Sequence, residues 1–225
     1  MSSYIKRKKF MALGCSHGIY ADPKAIKKVL KFKEEFKPHT TIHLGDFVDM
    51  SAFMSSADGG GDDVKLDLDG GIEFLQLLEP DIVLAGNHEA RLWRDIRSNS
   101  PIRVQAAESV IDEIETTCFK LGAQFIPYNG VFQMHKLGNF TFTHGTIYNE
   151  NACRDMAETY GNVIFAHTHK VSQQYGRRID NPIGISVGTL TRRGAMEYAN
   201  TRRSTLAWSQ GLVYGEYNDN ELIPT

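Results

Sequence analysis

Short apolar runs recur along the chain, and each ends in glycine, aspartate, asparagine or histidine. Their length and their β-branched and aromatic content predict buried strands, with polar residues at the carboxyl end of each strand. The runs are FMALG (10–14), TIHLGD (41–46), DIVLAGNH (81–88), FTFTHG (140–145) and VIFAHTH (163–169).

Helical patterns separate several of these strands. The segment after Asp22 predicts a helix, with Asp22 as the N-cap and Pro23 in the first turn, and further helices are expected over Gly71–Leu78 and Ile102–Leu121. Beyond residue 130 strands dominate, in VFQMHKL, GNFTFTH, PIGISVGTL and GLVYGEY. The pattern predicts an α/β protein in which two mixed sheets pack together and are flanked by helices.

One segment, 55–63 (SSADGGGDD), has a composition that favours neither helix nor strand. It predicts a mobile glycine-rich loop, either a flap at the active site or an inert insertion. The composition of the whole chain is that of a globular protein. Its 225 residues, of which 41 % are hydrophobic and 23 % charged, predict a single domain over 1–225.

Composition also limits the class of protein. No run is long and apolar enough for a membrane span, and three irregularly spaced cysteines argue against a disulfide framework, so we expect a cytoplasmic protein. A net charge of −2 excludes a basic surface over the whole domain.

Five of the eight histidines lie at the predicted strand ends. The carboxyl ends of strands in an open α/β sheet gather ligands, so these blocks can converge on one point. Nitrogen and oxygen donors of this kind suit Mn²⁺, Fe or Zn²⁺. Capping histidines and turn-forming GD and GN pairs would explain each block singly, but not why each block follows an apolar strand; for His39, His43 and His135 we expect core or surface roles.

The blocks resemble the motifs of the calcineurin-like metallophosphoesterases: DxH, GDxxD, GNH with an acid, an isolated histidine and GHxH. The resemblance implies a four-layer α/β/β/α sandwich and two divalent metal ions (Mn, Fe or Zn). Hydrolysis would proceed by attack of a metal-bridging hydroxide, with His88 as general acid and Asp49 orienting it. The implied metal ligands are His17, Asp46 and His169 for the first ion, joined by Cys15, and Asp46, Asn87, His144 and His167 for the second.

The sequence departs from the family pattern at two positions. Cys15 stands in place of the aspartate of DxH, either as a thiolate ligand that favours Zn²⁺ or Fe in the first site, which we prefer, or as a neutral thiol outside the coordination sphere. Ala166 replaces the glycine of GHxH. The arginines typical of the serine/threonine protein phosphatases are replaced by Met50 and Ala85, which disfavours that branch.

The resemblance covers the catalytic core without a capping domain, which predicts an open site that accepts phosphodiesters. We expect a phosphodiesterase or nuclease acting on nucleotides or nucleic acid. The run WSQGLVYGEYND is similar to the ending of small phosphoesterases of bacteria and their phages. Two alternatives stay open, a phosphomonoesterase and a catalytically weakened binding scaffold. Four arginines are candidates for contacts with the substrate's phosphate, or else form solvated or ion-paired surface: Arg91, Arg94, Arg192 and Arg193.

Overall fold

The computed structural model describes residues 7–54, 63–199 and 203–225. The helices are α1 (Pro23–Phe36), α2 (Val64–Leu78), α3 (Ala90–Asp95), α4 (Pro101–Leu121) and α5 (Ala152–Tyr160). The strands are β1 (Lys8–Leu13), β2 (Thr40–His43), β3 (Ile82–Leu84), β4 (Gln124–Ile126), β5 (His135–Leu137), β6 (Phe140–Thr143), β7 (Val163–Phe165), β8 (Val171–Tyr175), β9 (Ile183–Val187), β10 (Val213–Tyr217) and β11 (Leu222–Pro224).

The strands form two mixed sheets. The six-stranded sheet has the order β11-β10-β1-β2-β3-β4, in which β1 to β4 run parallel and β10 and β11 are antiparallel additions. The five-stranded sheet has the order β5-β6-β7-β9-β8, with β6, β7 and β9 parallel at its centre. In both sheets, therefore, the parallel strands deliver their carboxyl ends to one edge.

The two sheets pack face to face. Phe10 and Ile42 from the first sheet and Phe142 and Ile164 from the second belong to one buried cluster. On the outer face of the first sheet, Val83 packs with residues of α2 and α4, while α5 covers Phe165 on the outer face of the second. Strands buried on both faces are usually continuous apolar runs, as β3 (IVL) and β7 (VIF) are, whereas β6 (FTFT) alternates phenylalanine with buried threonine. The four-layer α/β/β/α sandwich is thus confirmed.

The predicted elements differ from the structure in the start of one helix, in one strand and in five elements that were missed. Helix α2 begins at Val64 rather than Gly71, because the Asp63 side chain accepts hydrogen bonds from the Lys65 and Leu66 amides and caps an earlier turn. The predicted strand VFQMHKL is a 3₁₀ turn over Gly130–Phe132 followed by the short β5. It is interrupted because Gln133 turns inward to donate to the Ala85 carbonyl. Helix α3, helix α5 and strands β4, β8 and β11 were not predicted.

Two further expectations are left open by the structure. Residues 55–62 of the predicted glycine-rich loop lie outside the described residues, and a single domain over 1–225 stays a prediction. Within the described ranges, no helix combines the length and the apolar character that crossing a membrane requires.

Candidate metal centre

Five loops meet at the carboxyl edge of the two sheets. Three follow the adjacent strands β1, β2 and β3, and two follow the neighbouring strands β6 and β7. All the metal-ligand and catalytic candidates predicted from the sequence lie on these loops: Cys15, His17, Asp46, Asp49, Asn87, His88, His144, His167 and His169. The structure brings them together although they are distant in the sequence.

Several of these residues adopt a backbone conformation that side chains with a Cβ rarely take. Cys15, His17, Asp46, His167 and His169 all have φ between 54° and 64°. The left-handed region costs roughly 1–2 kcal/mol per residue, so the surrounding structure must hold these turns in place. Such strain collects at functional sites, where it aims side chains at a common point.

The first group of donors comprises Cys15, His17, Asp46 and His169, whose ligand atoms all lie within 4.8 Å of one another. His17 Nδ1 lies 2.9 Å from Asp49 Oδ1 and donates to it, which leaves Nε2 as a bare acceptor 3.0 Å from His169 Nε2. Burial lowers the pKa of both imidazoles, so both are neutral and suited to bind a metal. Within the described residues, the buried His169 Nδ1 has no hydrogen-bond partner.

Cys15 lies at the floor of this group. Its Sγ is buried and accepts a hydrogen bond of 3.3 Å from the His167 amide. Burial and the charge of Asp46 raise the pKa of the thiol well above its usual value, so only a neighbouring cation would produce the thiolate. Ligation by Cys15 stays a prediction.

The second group comprises Asp46, His144 and His167, also within 4.8 Å of one another. His144 Nδ1 lies 2.7 Å from the Leu44 carbonyl and must donate to it, so Nε2 carries a lone pair. That lone pair faces Asp46 Oδ2 at 3.3 Å and Asn87 Oδ1 at 3.0 Å. Three acceptors that point at one another require positive charge between them. Burial lowers the pKa of His144, but the charge of Asp46 together with the hydrogen bonds to Asp46 and the Leu44 carbonyl raises it above its usual value, which reflects the same requirement.

Asp46 belongs to both groups and is therefore placed to bridge two cations. The outer nitrogens of His17 and His144 are fixed by Asp49 and by the Leu44 carbonyl, the second-shell arrangement usual for metal-binding histidines. Nitrogen, carboxylate and sulfur donors that are mostly buried fit Mn²⁺, Fe or Zn²⁺ better than a hard ion such as Ca²⁺. The residues present thus fit a pair of divalent metal ions.

His88 lies beside the donors and lines a cleft next to them. Its Nδ1 lies 2.8 Å from the Asp49 carbonyl and 3.0 Å from Asp49 Oδ1, so Nδ1 is the donor, and Nε2 lies 3.9 Å from Asp46 Oδ2. Burial lowers the pKa of His88, but Asp46 and Asp49 together raise it above its usual value. Arg91 Nη1 donates to the same Asp49 carbonyl, at 2.6 Å, and Nη2 lies 3.3 Å from His88 Nε2.

Glu89 is a buried residue to which the sequence assigned no role. Its Oε2 accepts from the amides of Asp46 and Gly86 at 2.9 and 2.5 Å, and its Oε1 accepts from the amide of Val48 at 3.1 Å. It thereby joins the loop after β2 to the loop after β3, at a point so close that a Cβ on Gly86 would lie 2.0 Å from Asp46 Oδ1. The sequence pattern that could have identified Glu89 as part of the site is the acid that follows GNH in the motif.

Asp67, which is distant in the sequence, also holds the loop after β2 by accepting hydrogen bonds from its backbone. No sequence pattern indicated this role. This buried carboxylate on α2 accepts from the amides of Asp49 and Met50, at 3.0 and 2.6 Å. Helix α2 therefore fixes the end of the GDxxD loop.

The four candidate arginines are placed differently. Arg91 lines the cleft. Arg94 donates to the Phe53 carbonyl and pairs with Asp95 at 3.3 Å. The exposed Arg192 and Arg193 donate to the carbonyls of Ile19 and Leu206, at 2.9 and 3.2 Å. A phosphate contact by any of them stays a prediction.

The other three histidines lie outside the donor groups. His43 is buried beneath the site, where burial lowers its pKa to about 3. His39 is exposed, and its Nδ1 accepts from the Lys9 amide at 3.0 Å, while His135 lies half-buried on β5. These are the core and surface positions expected.

The cleft above the donors has a volume of about 310 Å³. Besides Asp46, His88 and Arg91, its lining includes Lys170 and two aromatic residues, Tyr148 and Trp208. Neither aromatic residue was predicted as part of the site.

The fold and the two donor groups define an α/β protein with a candidate site for metal ions at the edge where its two sheets meet. The family model of the calcineurin-like phosphoesterases matches residues 8–177, and the chain belongs to that family. This match confirms the resemblance inferred from the motifs. Membership implies a phosphoester hydrolase, and the family uses two divalent metal ions.

Solved structures with the same fold include an archaeal phosphodiesterase, which is 16 % identical with a TM-score of 0.51 over 96 % of this chain and 98 % of that chain. The phosphoesterase YfcE from E. coli is 14 % identical, with a TM-score of 0.40 over 96 % and 98 % of the two chains. The nuclease MPE from Pseudomonas putida is 13 % identical, with a TM-score of 0.41 over 81 % and 75 %. The archaeal structure supports the fold. No curated protein matches the sequence.

Proposed function

We propose that the protein is a phosphodiesterase that acts on nucleotides or nucleic acid. The observation that carries the proposal is that members of both donor groups line one cleft together with His88 and Arg91, and that Asp46 is shared between the groups. Cys15, His17, Asp46 and His169 would hold one divalent cation, and Asp46, Asn87, His144 and His167 the other. Two such cations neutralise the negative charge of a phosphate ester and lower the pKa of a bound water.

His88 would supply the proton that the leaving oxygen requires. Its Nδ1 is held by Asp49, so the proton would be delivered from Nε2, the ring nitrogen on the side of Asp46. A diester releases an alkoxide, which is a poor leaving group unless it is protonated as the bond breaks. Asp49 acts through His88 and His17, and is thus a positioning residue for both.

Arg91 would bind the phosphate beside His88. Its guanidinium is anchored at Nη1, which leaves the rest of the fork next to His88 Nε2. Lys170 is a second cationic residue that lines the cleft. Among the described residues that line it, Asp46 is the acidic one. This distribution favours an anionic substrate.

The test is hydrolysis after loading with Mn²⁺, Zn²⁺ or Fe²⁺, comparing bis(4-nitrophenyl) phosphate, 4-nitrophenyl phosphate and single-stranded DNA. We expect the diesters to be hydrolysed more efficiently than the monoester. A preference for the monoester would replace the proposal with a phosphomonoesterase, and no turnover with any metal would point to a binding scaffold.

His88→Ala separates catalysis from metal binding. We expect it to reduce turnover of DNA by about 10²–10⁴-fold, with a smaller loss for the nitrophenyl diester, whose leaving group needs no proton. Metal content should be unchanged. His39→Ala, at an exposed histidine outside the cleft, is the matched control. Loss of metal from His88→Ala would show that His88 is structural.

A further inference from the structure

Trp208 presents a large aromatic ring to the cleft. Its ring centroid lies 4.2 Å from that of His169 at an interplanar angle of 62°. The residue also lines a second cleft of about 270 Å³, together with Asp22, Thr191 and Gln210. Trp208 belongs to none of the hydrophobic clusters found among the described residues, so its ring is not a core side chain.

The backbone holds Trp208 in place on both sides. Its amide donates to the Thr205 carbonyl at 3.1 Å, and the next amide, of Ser209, donates to the His169 carbonyl at 2.9 Å. Ser209 Oγ accepts from the Val171 amide at 2.7 Å. A side chain carried on a fixed backbone loses less conformational entropy when a ligand packs on it.

Tyr148 is the second aromatic residue of the cleft. It is 74 % exposed, and its ring centroid lies 6.1 Å from that of His167. His167 belongs to the second donor group and His169 to the first. One aromatic residue therefore flanks each of the two positions between which a phosphate would sit.

We infer that Trp208 and Tyr148 are stacking platforms for nucleobases, one on each side of the scissile phosphate. The inference rests on the proposed function and narrows its substrate to nucleotide diesters whose bases are unpaired, such as single-stranded nucleic acid. Stacking on aromatic side chains binds any base, because every base has a π-face, and it requires that the base be free of its duplex neighbours. Arg91 and Lys170, which line the same cleft, would hold the backbone phosphates.

The test compares two esters with the same leaving group, thymidine 5′-(4-nitrophenyl) phosphate and methyl 4-nitrophenyl phosphate. We expect wild type to favour the nucleoside ester, and Trp208→Ala to reduce kcat/KM for that ester by about five- to hundred-fold. The methyl ester should change less than about twofold, and Trp208→Phe should retain most of the activity. Tyr148→Ala is expected to weaken cleavage of a thymidine dinucleotide, which has a base on both sides. Phe119→Ala, an aromatic residue 85 % exposed on α4, is the control.

The outcomes distinguish this inference from the proposed function. If wild type hydrolyses both esters with equal efficiency, or Trp208→Ala slows both equally, stacking is overturned while the phosphodiesterase stands. If neither ester is hydrolysed, the proposed function fails and base binding is decided by tryptophan fluorescence.

The fluorescence experiment titrates the protein with a thymidine dinucleotide. The platform is supported if the dinucleotide quenches the wild type but not Trp208→Phe, in which Trp93 is the remaining tryptophan. No quenching in wild type overturns it.

Discussion

Replacing Glu89 with alanine removes the acceptor of three buried backbone N–H groups, those of Asp46, Val48 and Gly86. A buried donor left without a partner costs about 1–3 kcal/mol. Because water can enter the space left by the side chain, we expect the lower part of that range for each group, and a total loss of about 3–5 kcal/mol. This is a large part of the roughly 5–15 kcal/mol that stabilises a typical domain.

The assay is urea unfolding of the metal-free protein, so that metal affinity does not contribute to the free energy of unfolding. Glu89→Gln should be milder, at about 1–3 kcal/mol, since its amide oxygen still accepts from two of the three donors while its NH₂ group faces the third. Glu108→Gln, at an exposed position on α4, should change the free energy by less than about 0.5 kcal/mol. A Glu89→Ala variant as stable as this control would refute the role of Glu89 in joining the two loops.

Three further substitutions test the site. Cys15→Asp should shift metal preference toward Mn²⁺ in competition titrations, because a hard oxygen replaces a soft sulfur; an unchanged preference would show that the thiol is not a ligand. Asp49→Asn should lower metal affinity or kcat by about 10–100-fold, since the carboxylate orients both His17 and His88; wild-type values for both would exclude that role. Arg91→Gln should raise KM for a diester, whereas Arg178→Gln, which removes a surface pair with Asp180, should not; equal effects would argue against a phosphate contact by Arg91.

Much of the centre could be predicted because its residues directly follow apolar strands. Buried parallel strands are rich in apolar, β-branched and aromatic residues, so β1, β2, β3, β6 and β7 and the polar residues after them were visible in the sequence. Strand β8 was missed because its residues, VSQQY, alternate between exposed and half-buried positions and lack an apolar run.

The supporting residues are harder to predict because their partners are distant in the chain. Asp67 fixes Asp49 across 18 positions from within a helix, and nothing local distinguishes it from a solvated acid. Trp208 reaches the cleft because the Ser209 amide binds the His169 carbonyl, a contact that no spacing rule predicts. Whether Cys15 is ionised depends on a cation, so neither the sequence nor the positions of the side chains decide it.

The central claim is that Asp46 is shared by two metal positions, and metal stoichiometry tests it most directly. Elemental analysis after equilibrium dialysis against Mn²⁺ or Zn²⁺ should give about two ions per chain, as expected for a dinuclear hydrolase. We expect His144→Ala to retain one ion and Asp46→Asn to bind neither tightly. A wild-type protein that binds a single ion, or an Asp46→Asn variant that keeps two, would contradict the dinuclear centre.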